Sequence, residues 1–329
     1  MKQVTVFGGS GFVGRHVVSR LAARGFVVRV AVRDVAAASF VKPMGDVGQV
    51  TPVCANILDE AAVTAAVEGS DAAINLVGIL FSRGRQRFDA IHQDGAERIA
   101  RLSRTAGVEH FVQMSALGAS STSRSQYARS KAAGEVAVRD AFGDATIVRP
   151  SVIFGPDDNF FNQFAALARL LPFLPVFGCP FPTLKNRTID FFGDGGTKFQ
   201  PVYVGDVADA IVACLDNDAA AGQTYELGGP TVYSFKQLME LVLSATDRRC
   251  LLLPIPFWVA YIETLFLELL PKPLLTRDQV TLLQTDNVLS GTAPTLLTLG
   301  ITPTAAELIV QTYLDRFRRG GRFHDSQTV

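Results

Sequence analysis

The sequence predicts an α/β fold, a doubly wound parallel sheet followed by a smaller, mostly helical C-terminal lobe. Short apolar runs alternate with helical patterns up to about residue 150, as in parallel sheets whose two faces are covered by helices. A glycine-rich turn joins the first apolar run to the first helical pattern. Farther along, the alternation gives way to a stretch rich in Pro, Phe and Gly at residues 171–196.

The strands predicted for the sheet are short and apolar, as buried parallel strands are. They cover residues 4–7, 27–32, 50–54, 72–77, 110–114 and 145–148. Helices are predicted between them at residues 11–25, in the sixties, at 88–106 and around Tyr127. In the first helix Val13, Val17 and Leu21 share one face, and Gly25 ends it.

The second half is predicted to contain further helices and two more strands. The helices cover residues 160–171, 206–215, 234–245 and 304–320, and the strands lie around 198–204 and 223–229. Asp206 and Ser234 are expected to cap the helices that they open, and Thr304 and Glu307 are expected to form a capping box for the last helix. We therefore assign residues 1–155, with a returning part at about 198–216, to the first domain, and residues 156–197 and 217–329 to the C-terminal lobe.

Composition excludes several classes of protein. Hydrophobic residues make up 48% of the chain and charged residues 19%, which suits a large core and not a disordered chain. Lys plus Arg and Asp plus Glu both number 31, so no net charge draws the chain to nucleic acid. The four cysteines form no CxxC pair and the four histidines are isolated. This pattern predicts no metal site and a reducing compartment.

The turn after the first strand is the strongest signal of a site. Gly8, Gly11 and Gly14 have GxxGxxG spacing, with Ser10 and Phe12 between them. Glycines allow the tight turn and let backbone N–H groups approach a pyrophosphate at the helix N-terminus. The strand–turn–helix context predicts a Rossmann-type dinucleotide site, against the alternative of a plain glycine turn.

Two arginines bear on which dinucleotide is bound. Arg33 follows the second strand, where an acidic residue would bind the ribose hydroxyls of NAD and an arginine suits the 2′-phosphate of NADP. Asp34 adjoins it, and Arg15 follows the last glycine. The pattern favours NADPH over NAD(H). The alternative is that Arg33 is simply solvated.

Tyr127 and Lys131 form a Tyr-x-x-x-Lys pair on one face of a helix. An ammonium lowers the pKa of a nearby phenol, so we expect this tyrosine to exchange a proton with a carbonyl or hydroxyl group. The lysine is also suited to hydrogen-bond a nicotinamide ribose. The pair is common by chance, but its position between the fifth and sixth strands favours the functional interpretation.

GGSGFVG, the Tyr-x-x-x-Lys pair and RPSVIFGP, which contains Pro150, together resemble the extended or atypical short-chain dehydrogenases/reductases. The resemblance adds Pro150 to the candidate cofactor residues. In that family a serine after the fifth strand, usually the second of a Ser-Ser pair, completes the catalytic set. Here Ser115 matches the first serine and Ala116 occupies the second position. This departure argues against turnover unless Ser115, Ser120 or Ser121 substitutes.

Longer segments of the sequence resemble one particular group within this family. HFVQMSALGA, QPVYVGDVADAI and PFWVAYIETLF are similar to the Rossmann-fold accessory subunit of respiratory complex I, the alpha-subcomplex subunit 9 type. In that family the fold holds NADPH tightly on the peripheral arm, near the quinone site and the membrane surface, without established turnover. The resemblance implies a dinucleotide site at Gly8, Gly11, Gly14, Arg15 and Arg33, with Tyr127 and Lys131 at the nicotinamide ribose.

The stretch from Leu251 to Leu275 is the most apolar part of the chain, but prolines and glutamates make it too broken for a transmembrane helix. On a helix, Glu263, Thr264 and Glu268 would share one polar side. Burial in the lobe is one interpretation, because an all-round apolar helix is usually buried. The alternatives are a membrane-surface contact or a large protein partner, for which Trp258 is suited.

Other surface candidates are weaker. Leu167, Leu170 and Leu171 share a helical face, for which burial in the core is the plainer interpretation. Two arginine clusters stand after the fourth strand and at the C-terminus, namely Arg83, Arg85 and Arg87, and Arg316, Arg318, Arg319 and Arg322 beside Phe323. A solvated loop and a favourable helix dipole explain them. The alternatives are an anionic substrate for the first cluster, anionic lipid headgroups for the second, and a protein partner for either.

Three functions remain open. The first is an NADPH-holding accessory subunit of complex I, in contact with peripheral-arm subunits at the cytoplasmic face of a bacterial inner membrane, or on the matrix side in an organelle. The second is an NADPH-dependent reductase or epimerase acting on a small carbonyl or hydroxyl substrate, with Tyr127 as acid/base, Lys131 tuning its pKa and Ser115 as polarising group. The third is a redox-sensing module whose nucleotide occupancy controls a partner. Ala116 and the apolar C-terminal half favour the first.

Overall fold

The computed structural model describes residues 2–84, 86–179, 183–185, 188–271 and 273–321. It divides into two compact units. The first consists of Met1–Pro150, Val204–Leu227 and Ser290–Thr302, and the second of Ser151–Tyr203, Gly228–Leu289 and Pro303–Val329.

The strands, in chain order, are β1 (Gln3–Phe7), β2 (Val27–Val32), β3 (Val50–Cys54), β4 (Ala72–Asn75), β5 (His110–Met114), β6 (Thr146–Pro150), β7 (Ile153–Phe154), β8 (Phe173–Phe177), β9 (Thr183–Lys185), β10 (Thr188–Asp190), β11 (Lys198–Phe199), β12 (Val202–Tyr203), β13 (Thr224–Leu227), β14 (Tyr233–Ser234) and β15 (Leu251–Ile255). The α-helices are α1 (Phe12–Ala23), α2 (Glu60–Val67), α3 (Gly95–Thr105), α4 (Gln126–Ala141), α5 (Phe161–Leu170), α6 (Val204–Ala213), α7 (Phe235–Thr246), α8 (Phe257–Leu267), α9 (Arg277–Leu282) and α10 (Ala306–Leu314).

A seven-stranded sheet forms the centre of the first unit, in the order β13-β6-β5-β4-β1-β2-β3. Every neighbouring pair of strands is parallel, so the doubly wound α/β fold predicted from the sequence is confirmed. Phe7, Ile74, Phe111 and Ile147, from four neighbouring strands, are fully buried. All six predicted sheet strands form, because short apolar runs are stable only where both faces are covered.

The boundary between the two units differs from the expected division. Strand β13 pairs with β6 in the main sheet, although the sequence assigned residues 217–329 to the C-terminal lobe. Strands β11 and β12, assigned to the returning part of the first domain, belong to the second unit. Strand pairing explains both differences. Strand β13 pairs with β6 of the first unit, whereas β12 pairs with β7 and β11 with β14, which both belong to the second unit.

Three helix starts were predicted, with different outcomes. For the last helix the prediction was wrong, since Ala305 and not Thr304 is the N-cap of α10 and makes no side-chain cap hydrogen bond. Ser234 caps α7 and forms a capping box with Gln237, which confirms the prediction. Helix α6 begins at Val204, so Asp206 lies in its first turn and is not its N-cap. Farther along α6, Asp209 accepts two hydrogen bonds of 2.6 and 3.3 Å from Arg20 of α1.

The helix predicted at residues 88–106 is not continuous α-helix. Residues Asp89–Asp94 form a π-helical turn, and α3 follows from Gly95. Such turns occur in helices mostly as single insertions, often at functional sites. The turn places His92 against α4, as described below.

The second unit has a core of aromatic and aliphatic side chains from α5, α7, α10 and the parallel strands β8 and β15. Phe154, Phe161 and Phe235 are among its fully buried members. Helix α8 is different, because Ala260 and Thr264 are its buried residues.

Of the interpretations left open for the apolar stretch, complete burial of this helix does not agree with the structure. Trp258 is 61% exposed and Phe266 70% exposed. Thr264, expected on a polar side, is fully buried and its hydroxyl donates to the Tyr261 carbonyl. Leu170 is also 76% exposed, against the expected burial of its helical face. Within the described ranges, no helix has both the length and the hydropathy needed to cross a membrane.

Candidate functional site

The glycine turn between β1 and α1 is closed tightly. Gly8 has a φ of +79°, and its carbonyl accepts a hydrogen bond of 3.0 Å from the Gly11 N–H. A Cβ at Gly14 would lie 2.3 Å from the Gly8 oxygen, so this position must be glycine. Gly11 is the N-cap of α1 and makes no side-chain cap hydrogen bond. The helix N-terminus therefore suits an anionic group from outside the helix.

Three charged residues near this turn, Arg33, Asp34 and Arg15, lie in different environments. Arg33 is exposed directly after β2. The adjacent Asp34 carboxylate accepts a hydrogen bond of 3.0 Å from the Ala37 N–H, so this acid stabilises its own turn. Arg15 lies with its guanidinium 5.5 Å from the centre of the Phe40 ring. The end of β2 therefore presents an exposed guanidinium beside an acid that is engaged in its own turn.

Helix α4 holds the Tyr-x-x-x-Lys pair. Ser125 caps the helix by accepting from the Ala128 N–H at 3.2 Å. The Lys131 ammonium donates to the Met114 carbonyl at 3.4 Å and lies 5.9 Å from the Tyr127 ring centre. Burial lowers the pKa of Lys131 to about 8, and the Glu135 carboxylate opposes this shift.

The pKa of the Tyr127 phenol is shifted in the direction opposite to the one predicted from the sequence. Burial raises its pKa to about 12, whereas we expected Lys131 to lower it. Desolvation disfavours the charged phenolate, and the Lys131 ammonium, 5.9 Å from the ring centre, does not offset this effect. Tyr127 is thus a protonated hydrogen-bond donor at neutral pH.

His92 is a site residue that the sequence reasoning missed. Its Nε2 accepts from the Ile79 N–H at 3.0 Å, so Nδ1 carries the ring proton and donates to Ser130 Oγ at 2.8 Å. Ser130 in turn donates to the Tyr127 carbonyl at 2.8 Å. Burial, together with the charge of Lys131, lowers the pKa of His92 to about 3. The neutral ring thereby ties the loop after β4 to the helix of the pair.

An aromatic cluster surrounds the tyrosine. Phe88 stacks on His92 at 5.5 Å between ring centres, and both rings contact Tyr127 edge to face at 5.9 and 5.5 Å. Such pairs add to the stability gained by burial alone. No periodicity in the sequence indicates this cluster, because it depends on the π-helical turn at Asp89–Asp94.

Ser115 has an unusual environment. It is 4% exposed, and its hydroxyl oxygen has no hydrogen-bond partner among the described residues. Buried polar atoms without a partner are rare and call for an explanation, such as a bound ligand. The proposed substitutes differ from it, since Ser120 bonds the Thr122 hydroxyl at 3.1 Å and Ser121 is exposed.

These features fit a dinucleotide. The glycine turn packs closely against the N-terminus of α1, and the buried Ser115 hydroxyl lacks a partner among the described residues. A Cβ at Gly78 would lie 3.2 Å from the Lys131 ammonium, so glycine keeps the space beside this ammonium open. Ser10 lies in the glycine turn, Phe12 is the first residue of α1, and Pro150 belongs to β6. Pro150 ends β6, and its carbonyl accepts from the Leu117 N–H at 2.9 Å.

The arginine clusters expected at the surface are largely engaged. Arg87 binds Asp89 through two hydrogen bonds of 3.2 and 3.0 Å. Arg316 donates to the Asn162 side chain at 2.6 Å, and Arg318 to the Ala245 carbonyl at 3.0 Å. Three members named in the sequence analysis, Arg85, Arg322 and Phe323, lie outside the described residues.

Comparison with known proteins assigns the family. The model of the NAD dependent epimerase/dehydratase family matches residues 4–228. NADH dehydrogenase [ubiquinone] 1 alpha subcomplex subunit 9 of Arabidopsis thaliana is 34% identical, over 96% of this chain and 78% of that protein. The Mus musculus subunit 9 is 36% identical, over 92% of this chain and 77% of that protein. The chain belongs to the subunit 9 branch of the epimerase/dehydratase family.

The fold of this subunit 9 relative is shared with sugar epimerases. The UDP-glucose 4-epimerase of Thermus thermophilus, solved in complex with NAD, matches with a TM-score of 0.66. It is 20% identical and the match covers 96% of this chain and 98% of that one. At this identity the likeness concerns the fold, and it agrees with the parallel sheet described above.

Proposed function

We propose that this chain is an NADP(H)-binding accessory subunit of the respiratory NADH:quinone oxidoreductase (complex I), in which the nucleotide is a structural or regulatory ligand. The observation that carries the proposal is the similarity to the subunit 9 proteins over 96% and 92% of the chain. Ala116, which stands in place of the second serine of the family's catalytic set, supports retention over turnover.

The test is purification of a tagged chain from gently solubilised membranes. We expect complex I subunits to co-purify, and NADPH to be released on denaturation in an amount close to that of the chain. A chain that is always recovered free of the respiratory complex would contradict the proposal.

Arg33 and Arg15 are proposed to bind the 2′-phosphate, with Gly8, Gly11 and Gly14 around the pyrophosphate. The exposed guanidinium after β2 and the engagement of Asp34 in its own turn support this choice. Arg33→Gln should weaken NADPH binding at least about tenfold, since a hydrogen bond to a charged group contributes about 1.5–3 kcal/mol. NADH affinity should stay unchanged. Equal losses for the two nucleotides would contradict the assignment.

The location proposed for the chain is the cytoplasmic face of a bacterial inner membrane, or the matrix side in an organelle. The stretch from Leu251 to Leu275 is proposed as the surface that contacts peripheral-arm subunits or the membrane. Trp258, Phe266 and Leu269 on this stretch are 61, 70 and 82% exposed, which is unusual for a free soluble protein.

A second candidate function is an NADPH-dependent reductase or epimerase acting on a small carbonyl or hydroxyl substrate. Two observations favour it. The pair of Tyr127 and Lys131 is intact, and the buried Ser115 hydroxyl has no hydrogen-bond partner among the described residues. Bound NADPH would supply hydride, Ser115 would orient the substrate oxygen, and Tyr127 would hold a proton for it. Tyr127→Phe should then abolish turnover while leaving nucleotide binding nearly intact. Unchanged turnover in this variant would eliminate the candidate.

A further inference from the structure

We propose that the second unit contains a binding site for the headgroup of an anionic phospholipid. The site is a groove of about 590 Å³, lined by residues 168–172, residues 247–250 and Arg319. It lies where the end of α5, the turn between α7 and β15, and the segment after α10 come together. The inference rests on the proposed function, which places the adjoining stretch from Leu251 to Leu275 against peripheral-arm subunits or the membrane, and it adds a ligand class for this groove.

The groove has a strong excess of positive charge. Arg169, Arg248, Arg249 and Arg319 line it, against the single carboxylate of Asp247. Because the whole chain has a net charge of zero, this excess is local. Arginine guanidinium groups bind phosphate oxygens through paired hydrogen bonds.

Most of these arginines are available to a ligand. Arg169, Arg249 and Arg319 are exposed, and no ion pair involves them within the part of the chain that the structure describes. Arg248 is held in place, since its Nε donates to the Phe317 carbonyl at 2.7 Å. Asp247 ends α7 in the left-handed conformation, with φ 49°, and so turns the chain sharply before Arg248.

Apolar side chains begin where the arginines end. Leu170 and Leu171 line the groove and are 76 and 38% exposed. Next to them, the Leu251 N–H donates to the Pro172 carbonyl at 2.9 Å. Leu251 is 72% exposed and pairs with Phe173, which is 38% exposed. The apolar rim of the groove is thus formed by the first residues of β8 and β15 and the last of α5.

A phospholipid matches this juxtaposition better than other anions do. A free phosphate ion would need the arginines alone and would leave the exposed leucines unexplained. A diacyl lipid presents a phosphate directly beside hydrocarbon, and surfaces that combine Arg with large apolar residues bind at this boundary. We therefore assign the arginines to the headgroup and the leucine rim to the upper part of the acyl chains.

Vesicle co-sedimentation of the purified full-length chain tests the site, with phosphatidylcholine vesicles that contain or lack phosphatidylglycerol. Binding should require phosphatidylglycerol. The double variant Arg249→Gln/Arg319→Gln should weaken it about 30-fold, which corresponds to about 1 kcal/mol for each arginine near an anionic surface. Arg124→Gln, an exposed arginine of the first unit, is the matched control and should bind as the unchanged chain does.

A second pair of variants separates the sources of phosphate. Leu170→Ser/Leu251→Ser should also weaken vesicle binding, whereas inorganic phosphate should compete only weakly. Full displacement by inorganic phosphate, with no effect of the leucine variants, would make this a site for free phosphate and overturn the proposal. Equal binding to both kinds of vesicle would overturn it as well. Because the assay uses the isolated chain, failure to co-purify with complex I leaves its outcome unaffected.

Discussion

At Gly14 the fold leaves room for a hydrogen atom and no side chain. The carbonyl of Gly8 and the backbone of Gly9 lie 2.3 and 2.6 Å from where a Cβ would stand. The glycine spacing visible in the sequence therefore has a steric cause that the structure makes explicit. The same spacing brings the N-terminus of α1 close to the turn, where a phosphate would be bound.

Gly14→Ala is expected to abolish nucleotide binding and to destabilise the first unit by about 1–3 kcal/mol, the usual result of overpacking. The measurement is the nucleotide content after purification, together with the urea midpoint. Gly143→Ala is the control, because a Cβ there meets no atom within 4 Å. Retained nucleotide in Gly14→Ala would contradict the steric argument.

His92 predicts a specific dependence of stability on pH. Its pKa is about 3 in the folded protein, below the ordinary value of 6.5. Between these values the unfolded chain binds a proton that the folded one does not, so stability falls as the pH falls from 6.5 toward 3. The contribution is about 1.4 kcal/mol per pH unit between these two values.

His92→Gln should remove this contribution, since glutamine does not titrate and still offers an acceptor to the Ile79 N–H. Urea midpoints of the two proteins, measured at several pH values below 7, should converge on acidification. Parallel curves would show that the pKa of His92 does not differ between the folded and the unfolded chain.

The π-helical turn before α3 is the decisive element of the site. It brings the His92 carbonyl so close to Gly134 of α4 that a Cβ there would clash severely with the carbonyl oxygen. From the sequence, residues 88–106 read as one regular helix, because apolar periodicity does not register a single wider turn. The position of His92 against Ser130 follows from that turn, and so it was not predicted.

Gly134→Ala is expected to destabilise the protein, although replacing glycine by alanine usually stabilises a helix. Within a regular helix, alanine is favoured over glycine by about 1 kcal/mol. Here the added methyl would push α4 away from the π-helical turn, so we expect destabilisation of about 1–3 kcal/mol and loss of bound nucleotide. Thermal unfolding with and without NADPH measures both effects. A stabilised variant would show that the two helices separate readily.

At the scale of the whole molecule, exposed apolar side chains concentrate in the second unit. Many of them lie in β15, α8 and the residues after it, including Leu251, Phe266 and Leu269 at 72, 70 and 82%. Soluble monomers rarely expose patches of this kind unless a partner or a membrane covers them. The surface therefore agrees with the proposed membership of a larger assembly.

Trp258 reports on this surface directly, because it is the single tryptophan of the chain and is 61% exposed. Its fluorescence should be that of a solvated indole in the free chain, and should shift to shorter wavelength with reduced acrylamide quenching on docking. Trp258→Phe should remove the signal and serve as control. An unchanged spectrum in the assembled state would place the contact elsewhere.

The sequence alone determined those features that depend on local chemistry. The glycine turn, the Ser234 capping box and the alternation of strands with helices each rest on neighbouring residues, and so they were predictable. Tertiary structure decided what depends on distant neighbours. It placed β13 in the main sheet through pairing with β6 and raised the pKa of Tyr127 by burial. It also left α8 exposed, since hydrophobic patterning records which side chains avoid water but not which surface covers them.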